Sequence, residues 1–420
     1  MSQLPDQAMS SRPADEREDE DMGIDATGGE TTSRPVPPTE KYLPENEIAD
    51  WRFELTLPDA LAPNKEEAKA KIMMKIRADG MLPYYTHLCE SLGWPVDQSL
   101  VESLRKANED ELKGLEDKIK DAEENLGDTE VRDGLLEKAH FYCRIGDKEA
   151  AIEAYQVAYD KTVGAGSRLD IILTLVRLGI FTHDLSLTKK NVQRAKDELE
   201  KGGDWERRNK LKVYEGVMLM MIRSFKEAAE LFLSAVATFT ATELLSFERF
   251  IQYTVVLSMV ALGRPVLREK VVHAPEVLQV TQGDHDLRDF LNSFYQGDYK
   301  KFMEKLIPIT DRIRSDRYLH LHYRYLVRNL RLRAYAQFLE PYKSVTLGAM
   351  ASAFGVSPDF MENEVAGFIA TGKLSCKIDK VGRIIESNRP DARNALYLQT
   401  IKQGDALLNR IQKLSRVIDM

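Results

Sequence analysis

Three cysteines in 420 residues, Cys89, Cys143 and Cys376, are too few and too far apart to staple a fold. No two form a Cys-x-x-Cys pair, so neither a zinc site nor a disulfide framework is signalled, and a reducing compartment is the simplest setting. Long apolar runs are missing too. The longest, around 253–262, stops at Gly263-Arg264-Pro265, well short of the ~20 residues a membrane helix needs. No basic stretch followed by an apolar one opens the chain, so no secretory signal is expected. Positive charge is in deficit. The net charge is -8, and residues 1–40, with ten acidic and three basic side chains, hold nearly all of it. Nothing overall suggests a phosphate-binding surface.

Catalytic constellations are equally scarce. Gly367-Phe-Ile-Ala-Thr-Gly372-Lys373 begins like a phosphate loop, but Leu374 follows where Ser or Thr must hold magnesium. The stretch also closes a helix and enters a strand, the reverse of the required order. Gly164-Ala-Gly166 lacks the third glycine and the preceding strand. His320-Leu-His322 is the best metal candidate. Residues two apart on a helix point about 200° apart and do not readily share an ion, so two surface histidines are expected. A deubiquitinating metal site would need Ser and Asp where Leu330 and Arg333 stand. No nucleophile elbow or His-Glu-x-x-His is present. No catalytic residue, cofactor or metal site is therefore expected.

What the chain does have is helical periodicity. The composition is 43% hydrophobic and 30% charged, enough apolar material for a sizeable core. Residues 1–40 are the exception. They carry an acidic run at 15–21, Gly28-Gly29 and Arg34-Pro35-Val36-Pro37-Pro38, with few large apolar side chains. A disordered, solvated tail is expected, with an acidic docking role as the alternative. From Tyr42 onward, short helices are predicted at 50–57, 65–78 and 83–92, then a long charged one at 97–125. Its Leu112, Leu115, Ile119, Ala122 and Leu126 form a seam of barely two heptads. That is too short for a coiled coil, so packing along the same chain is expected. Residues 41–130 form this N-terminal helical region.

A repeat follows. Ala139, Tyr142, Gly146, Ala151, Tyr155 and Ala158 lie at offsets of zero, three, seven, twelve, sixteen and nineteen. Gly216, Leu219, Arg223, Ala228, Phe232 and Ala235 reproduce them. Small residues let two antiparallel helices approach, and the aromatic fills the space beside them, the logic of tetratricopeptide repeats. A pair between the two copies, 169–181 with 192–199, fits the offsets poorly. Ordinary helix hairpins are the alternative. Both give an α-solenoid across 131–341, continued by helices at 243–262, 285–295, 299–307 and 318–339.

The pattern changes after Pro341. A β-prone 345–347 precedes helices at 348–354 and 358–371. The second presents Met361, Val365, Phe368 and Ile369 on one face. Leu374, Cys376 and Ile378 then alternate with polar residues, and a turn leads into a strand at 383–387 containing Ile384. Helix, turn, helix, hairpin is the order of a winged helix over 342–390. The helix that would enter a DNA groove carries Asp359, Glu362 and Glu364 and no Lys or Arg, so no nucleic-acid partner is expected. Residues 391–420 form a last helix with Leu407, Ile411, Leu414 and Ile418 at heptad spacing and Ile401 and Leu408 beside them. That stripe either packs back on its own chain or meets a partner.

Solenoid, winged helix and trailing helix together resemble the PCI family, shared by the proteasome lid, the signalosome and a translation initiation factor complex. Particular strings resemble the proteasome-lid branch: Ala107-Asn-Glu-Asp-Glu-Leu-Lys113, Arg144-Ile-Gly-Asp-Lys-Glu-Ala150, Ser224-Phe-Lys-Glu-Ala-Ala-Glu-Leu-Phe232, Cys376-Lys-Ile-Asp-Lys380 and Lys413-Leu-Ser-Arg-Val-Ile418. The resemblance covers 42–420 and starts the PCI region near 205. It implies a non-catalytic scaffold of the regulatory-particle lid, in cytoplasm and nucleus, supporting ATP-dependent degradation of ubiquitinated proteins. A scaffold of a sister PCI complex is the alternative. It also implies side-by-side joining of PCI subunits through their winged helices and a C-terminal helix bundle with the deubiquitinating subunit pair. The ATPase ring and the proteolytic core are partners in the assembled complex. The residues expected to carry these contacts are Leu374, Cys376, Ile378 and Ile384 at a sheet edge, and Leu407, Ile411, Leu414 and Ile418 on the last helix. Burial of Ile411 and Leu414 is not expected to be needed for folding.

Overall fold

A computed structural model describes residues 46–418 apart from 60, 63, 126, 203 and 389–391. The acidic and proline-rich segment 1–40 and Leu126 of the predicted seam lie outside the described residues. Four helices come first: α1 (Asn46–Thr56), α2 (Lys65–Asp79), α3 (Leu82–Leu92) and α4 (Gln98–Asn125). Ile48, Ile72, Ile76, Tyr85 and Leu88 of α1, α2 and α3 form a small core that Leu104 and Phe181 also join. The second half of α4 lies along the next helix, α5 (Asp128–Ile145). A Cβ on Gly134 would stand 3.0 Å from Ile119 Cγ1, so the heptad-like seam packs on its own chain, as its length implies.

Hairpins follow: α5 with α6 (Lys148–Lys161), α7 (Ala165–Phe181) with α8 (Leu185–Lys201), and α9 (Trp205–Met221) with α10 (Phe225–Ala235). Ala139, Ala151, Tyr155 and Ala158 of the first are fully buried, as are Ala228, Phe232 and Ala235 of the third. A Cβ on Gly216 would come within 2.3 Å of Phe232 Cε1, so the small residue is what lets the aromatic ring sit between the helices. The middle hairpin corrects the expectation of a poor fit. Val176, Gly179, His183, Thr188, Val192 and Ala195 occupy the same six offsets. A Cβ on Gly179 would lie 2.5 Å from Thr188 Oγ1, the same close crossing one residue pair along.

The turns unify the series. The residue at offset seven is left-handed in all three hairpins: Gly146 (φ 82°), His183 (φ 58°) and Arg223 (φ 74°). The next residue reaches back to the carbonyl at offset three: Asp147 N–H to Tyr142 (3.1 Å), Asp184 N–H to Gly179 (2.8 Å) and Ser224 N–H to Leu219 (2.9 Å). This closes the first helix with a Schellman turn. That residue also starts the second helix. Asp147 accepts from Ala150 N–H, and Asp184 accepts from Ser186 and Leu187 N–H.

Next come α11 (Phe247–Ala261), the short α12 (Arg264–Leu267) followed by a π turn, and α13 (Pro275–Gly283). A fourth hairpin then appears, α14 (His285–Gln296) with α15 (Tyr299–Ser315). Phe290, Ser293, Gly297, Phe302, Leu306 and Ile309 repeat the offsets again. Gly297 is left-handed (φ 86°), and Asp298 caps the second helix through Lys301 N–H. Helix α15 runs through Pro308 to Ser315 instead of stopping at Ile307, so the lost hydrogen bond does not end it. The expected helix at 318–339 begins later, as α16 (Tyr323–Leu339), and His320–His322 form a 3-10 turn before it.

The last module holds β1 (Ser344–Thr346), α17 (Leu347–Phe354), α18 (Pro358–Ala370), β2 (Cys376–Asp379) and β3 (Ile384–Ser387). The sheet order is β1-β3-β2, all antiparallel, with Val345 and Ile378 both opposite the fully buried Ile385. Met361, Val365 and Phe368 bury the predicted face of α18 in one core with Tyr335 and Phe354. The final helix is α19 (Ala392–Ile418).

Candidate protein interface

The sheet places the predicted edge residues unequally. Strand β3 pairs with β1 on one side and β2 on the other. Ile384 faces Thr346 and Asp379 at once, so the expectation that the 383–387 strand can extend a neighbour's sheet is wrong. The reason is β1, whose three residues take the second side of β3. Edge positions fall to β2 and β1. Leu374 is buried ahead of β2 and belongs to the core. Cys376 and Ile378 lie in β2 with half-buried side chains turned onto that core, while Lys377 and Asp379 point outward.

Helix α18, the element a DNA-binding winged helix would insert, is tied to α16. Arg331 Nη2 lies 2.6 Å from Glu364 Oε1, and the Tyr335 hydroxyl donates to Glu364 Oε2. Burial, then this bond, pushes the Tyr335 hydroxyl well above the ordinary tyrosine range, so it stays a donor. Glu362 pairs with Lys380 at 3.4 Å. The helix therefore keeps its acidic character for internal contacts.

The two histidines read as a metal candidate are structural. His320 Nδ1 sits 2.7 Å from the Arg314 carbonyl, and His322 Nε2 sits 2.8 Å from that of Met221. Arg223 Nε donates to His322 Nδ1 at 3.3 Å. They peg the 3-10 turn to two earlier helices, α15 through Arg314 and α9 through Met221. Among the described residues no group of three or more His, Cys, Asp or Glu is placed to hold a metal ion.

Helix α19 differs from every other long helix. All its described side chains are exposed. Leu407, Ile411, Leu414 and Ile418 are 52–72% exposed, and Leu396, Tyr397, Leu398, Ile401 and Leu408 add to the same helix. Packing back on its own chain is therefore not how this stripe is covered. A 27-residue helix with nine large exposed apolar side chains is a candidate contact surface by the ordinary logic of exposed apolar patches.

Comparison with known proteins meets these same elements. The model of 26S proteasome subunit RPN7 matches residues 97–270, the α4 to π-turn segment. The PCI domain matches 298–389. The C-terminal helix of 26S proteasome regulatory subunit RPN7/PSMD6 matches 397–418, inside α19. The chain is 48% identical over 380 residues to 26S proteasome non-ATPase regulatory subunit 6 of Dictyostelium discoideum, covering 90% of this chain and 99% of that one. This chain belongs to the 26S proteasome non-ATPase regulatory subunit 6 family. The Arabidopsis thaliana homolog of subunit 6 is 50% identical over 373 residues, covering 89% of this chain and 96% of its own. The Saccharomyces cerevisiae regulatory subunit RPN7 is 36% identical over 414 residues, covering 91% and 95%. Subunit 6 relatives thus span the helical repeats, the winged helix and the apolar C-terminal helix together.

Proposed function

We propose that this chain is a non-catalytic scaffold subunit in the lid of the 26S proteasome regulatory particle, supporting its assembly and the ATP-dependent degradation of ubiquitinated proteins in cytoplasm and nucleus. The observation that carries the reading is α19: its apolar side chains are open, and its matched segment is one that subunit 6 relatives share. A helix of this kind contributes by burial against other helices. Leu407, Ile411, Leu414 and Ile418 meet lid helices, including the deubiquitinating subunit pair. The winged helix meets neighbouring PCI subunits through β2, which lies at the edge of the sheet where a strand can be added. The ATPase ring and the proteolytic core are partners in the completed particle. No nucleic acid or membrane takes part.

Affinity purification of the tagged full chain at moderate salt, with mass spectrometry of what accompanies it, tests this. Lid subunits with the ATPase ring and proteolytic core are expected. Recovery of signalosome or translation-initiation subunits instead would contradict the assignment. The relatives that match along nine-tenths of the chain carry 26S proteasome names, which disfavours a sister complex.

A further inference from the structure

Helix α1 touches two parts of the molecule in two different ways. Toward α2 and α3 its contact is apolar: Ile48 is fully buried, and Trp51 and Leu55 pack on the same small core. Toward residues some 200 to 270 positions later its ties are hydrogen bonds and ion pairs. Asn46 Nδ2 donates to the carbonyls of Leu244 (3.2 Å) and Glu243 (3.4 Å). Asp50 accepts from Arg249 Nη1. Arg317 Nε stands 3.5 Å from Asp50 Oδ1. Arg249 Nη2 and the Tyr253 hydroxyl both bind Asp316, at 2.9 and 2.5 Å. A ring contact also crosses the seam, Phe53 against His320, 5.2 Å between centroids.

Three hairpins, α5/α6, α7/α8 and α9/α10, lie in the chain between the two sides of this seam. Each hairpin packs chiefly on its neighbours, so the curvature of such a stack is the sum of small rotations. A contact that ties its beginning to its end fixes that sum. The ties of α1 itself across the seam are polar, and interfaces of this kind within one chain leave relative motion as the default. Arg317 is buried, yet its Nε and Nη1 make no hydrogen bond. Opening would return those donors to water, which offsets part of the lost ion pairing.

We propose that α1 is an ionic clasp that sets the curvature of the repeat stack, with Asp50 as its central group and Asn46 as its second tie. In the closed state Asp50 bridges Arg249 and Arg317. In the open state the α1–α3 core stays intact, the hairpins rotate slightly relative to one another, and the winged helix and α19 keep their fold. The clasp lets the N-terminal helices move relative to the end of the chain that carries the assembly surfaces.

The test is a distance measurement on the full chain. Spin labels go on Met74→Cys in α2 and Leu278→Cys in α13, both exposed in the parent, with Cys376→Ser removing the half-buried thiol. The parent should give one narrow distribution by pulsed electron resonance. Asp50→Asn should add a second population at a different distance, the closed-to-open ratio falling roughly a hundredfold, as expected when the partly buried carboxylate that faces Arg249 and the buried Arg317 is neutralised. Asn46→Ala should move the distribution the same way by roughly tenfold. Amide protection of 344–387 should stay at the parent level in both. Distributions identical to the parent in both variants would overturn the proposal, as would loss of protection at 344–387 in step with the distance change. If Asp50→Asn fails to fold, Asn46→Ala alone decides, since it leaves every charge in place.

Discussion

In α6, Ala151, Tyr155 and Ala158 recur at spacings of four and three and are buried against α5 and α7. In α19, Leu407, Ile411, Leu414 and Ile418 recur at the same spacings and lie open. The same pattern is core in one place and surface in the other. For α6 the cover comes from the turn that precedes it. Gly146 and Asp147 turn the chain back on itself within two residues, so α6 must lie on α5. Periodicity shows which face of a helix is apolar; in α6 a two-residue turn supplies the cover, and in α19 the same spacing leaves the face open.

That contrast makes graded predictions. The largest concerns the hairpins. Phe232→Ala empties the space that Gly216 leaves beside it, and should cost about 3–5 kcal/mol of stability, read from denaturant unfolding. A loss under 1 kcal/mol would mean the aromatic position is not the core of the repeat.

Second is pH. Burial lowers the His140 pKa to about 4, with the ring 2.7 Å from the Tyr155 hydroxyl. The folded chain keeps it neutral down to that pH, while the unfolded chain protonates it near 6.5. The stabilisation is thus complete above about pH 6.5 and drains away as pH falls toward 4, by roughly 3 kcal/mol. His140→Gln should flatten the stability profile across that window relative to the parent; parallel profiles would contradict the burial argument.

Smaller effects probe the turns. Asp147→Ala removes the cap of α6 and should cost about 1 kcal/mol. Arg223→Gly relieves a left-handed arginine, worth about 1 kcal/mol, but gives up its hydrogen bond to His322 and its place 5.1 Å over the Tyr325 ring. The net change in melting temperature should be within a few degrees. A large loss would show that the side chain, not the backbone, holds that turn.

These turns also explain how much of the molecule the sequence discloses. The helices, the winged-helix order and the apolar stripe of α19 are legible because each depends on local spacing. The middle hairpin is hidden because its turn uses His183 where a glycine would announce the left-handed residue, and its small position is Gly179 facing Thr188. The fourth hairpin is hidden because Phe290, Phe302 and Leu306 replace small and aromatic residues with large ones throughout. Asp or Ser recurs at offset eight in all four hairpins, but only Gly146 and Gly297 announce the left-handed residue before it. The sheet order is not legible at all. Strand β1 reaches β3 across about forty residues of sequence, Ser344 facing Glu386, and no local pattern encodes that pairing. Of the eight residues expected at interfaces, the four on α19 are exposed, whereas Leu374 belongs to the core and Ile384 to the central strand.

The smallest expected change in stability belongs to the helix with the largest expected role. Ile411→Asp together with Leu414→Asp should leave the melting temperature of the full chain at the parent value, because neither side chain is buried. The deciding measurement is co-purification of that double variant with the lid. Loss of lid subunits from a variant that stays folded is the predicted result. Recovery of the lid at the parent level would contradict the claim that the open face of α19 is what places this chain in the particle.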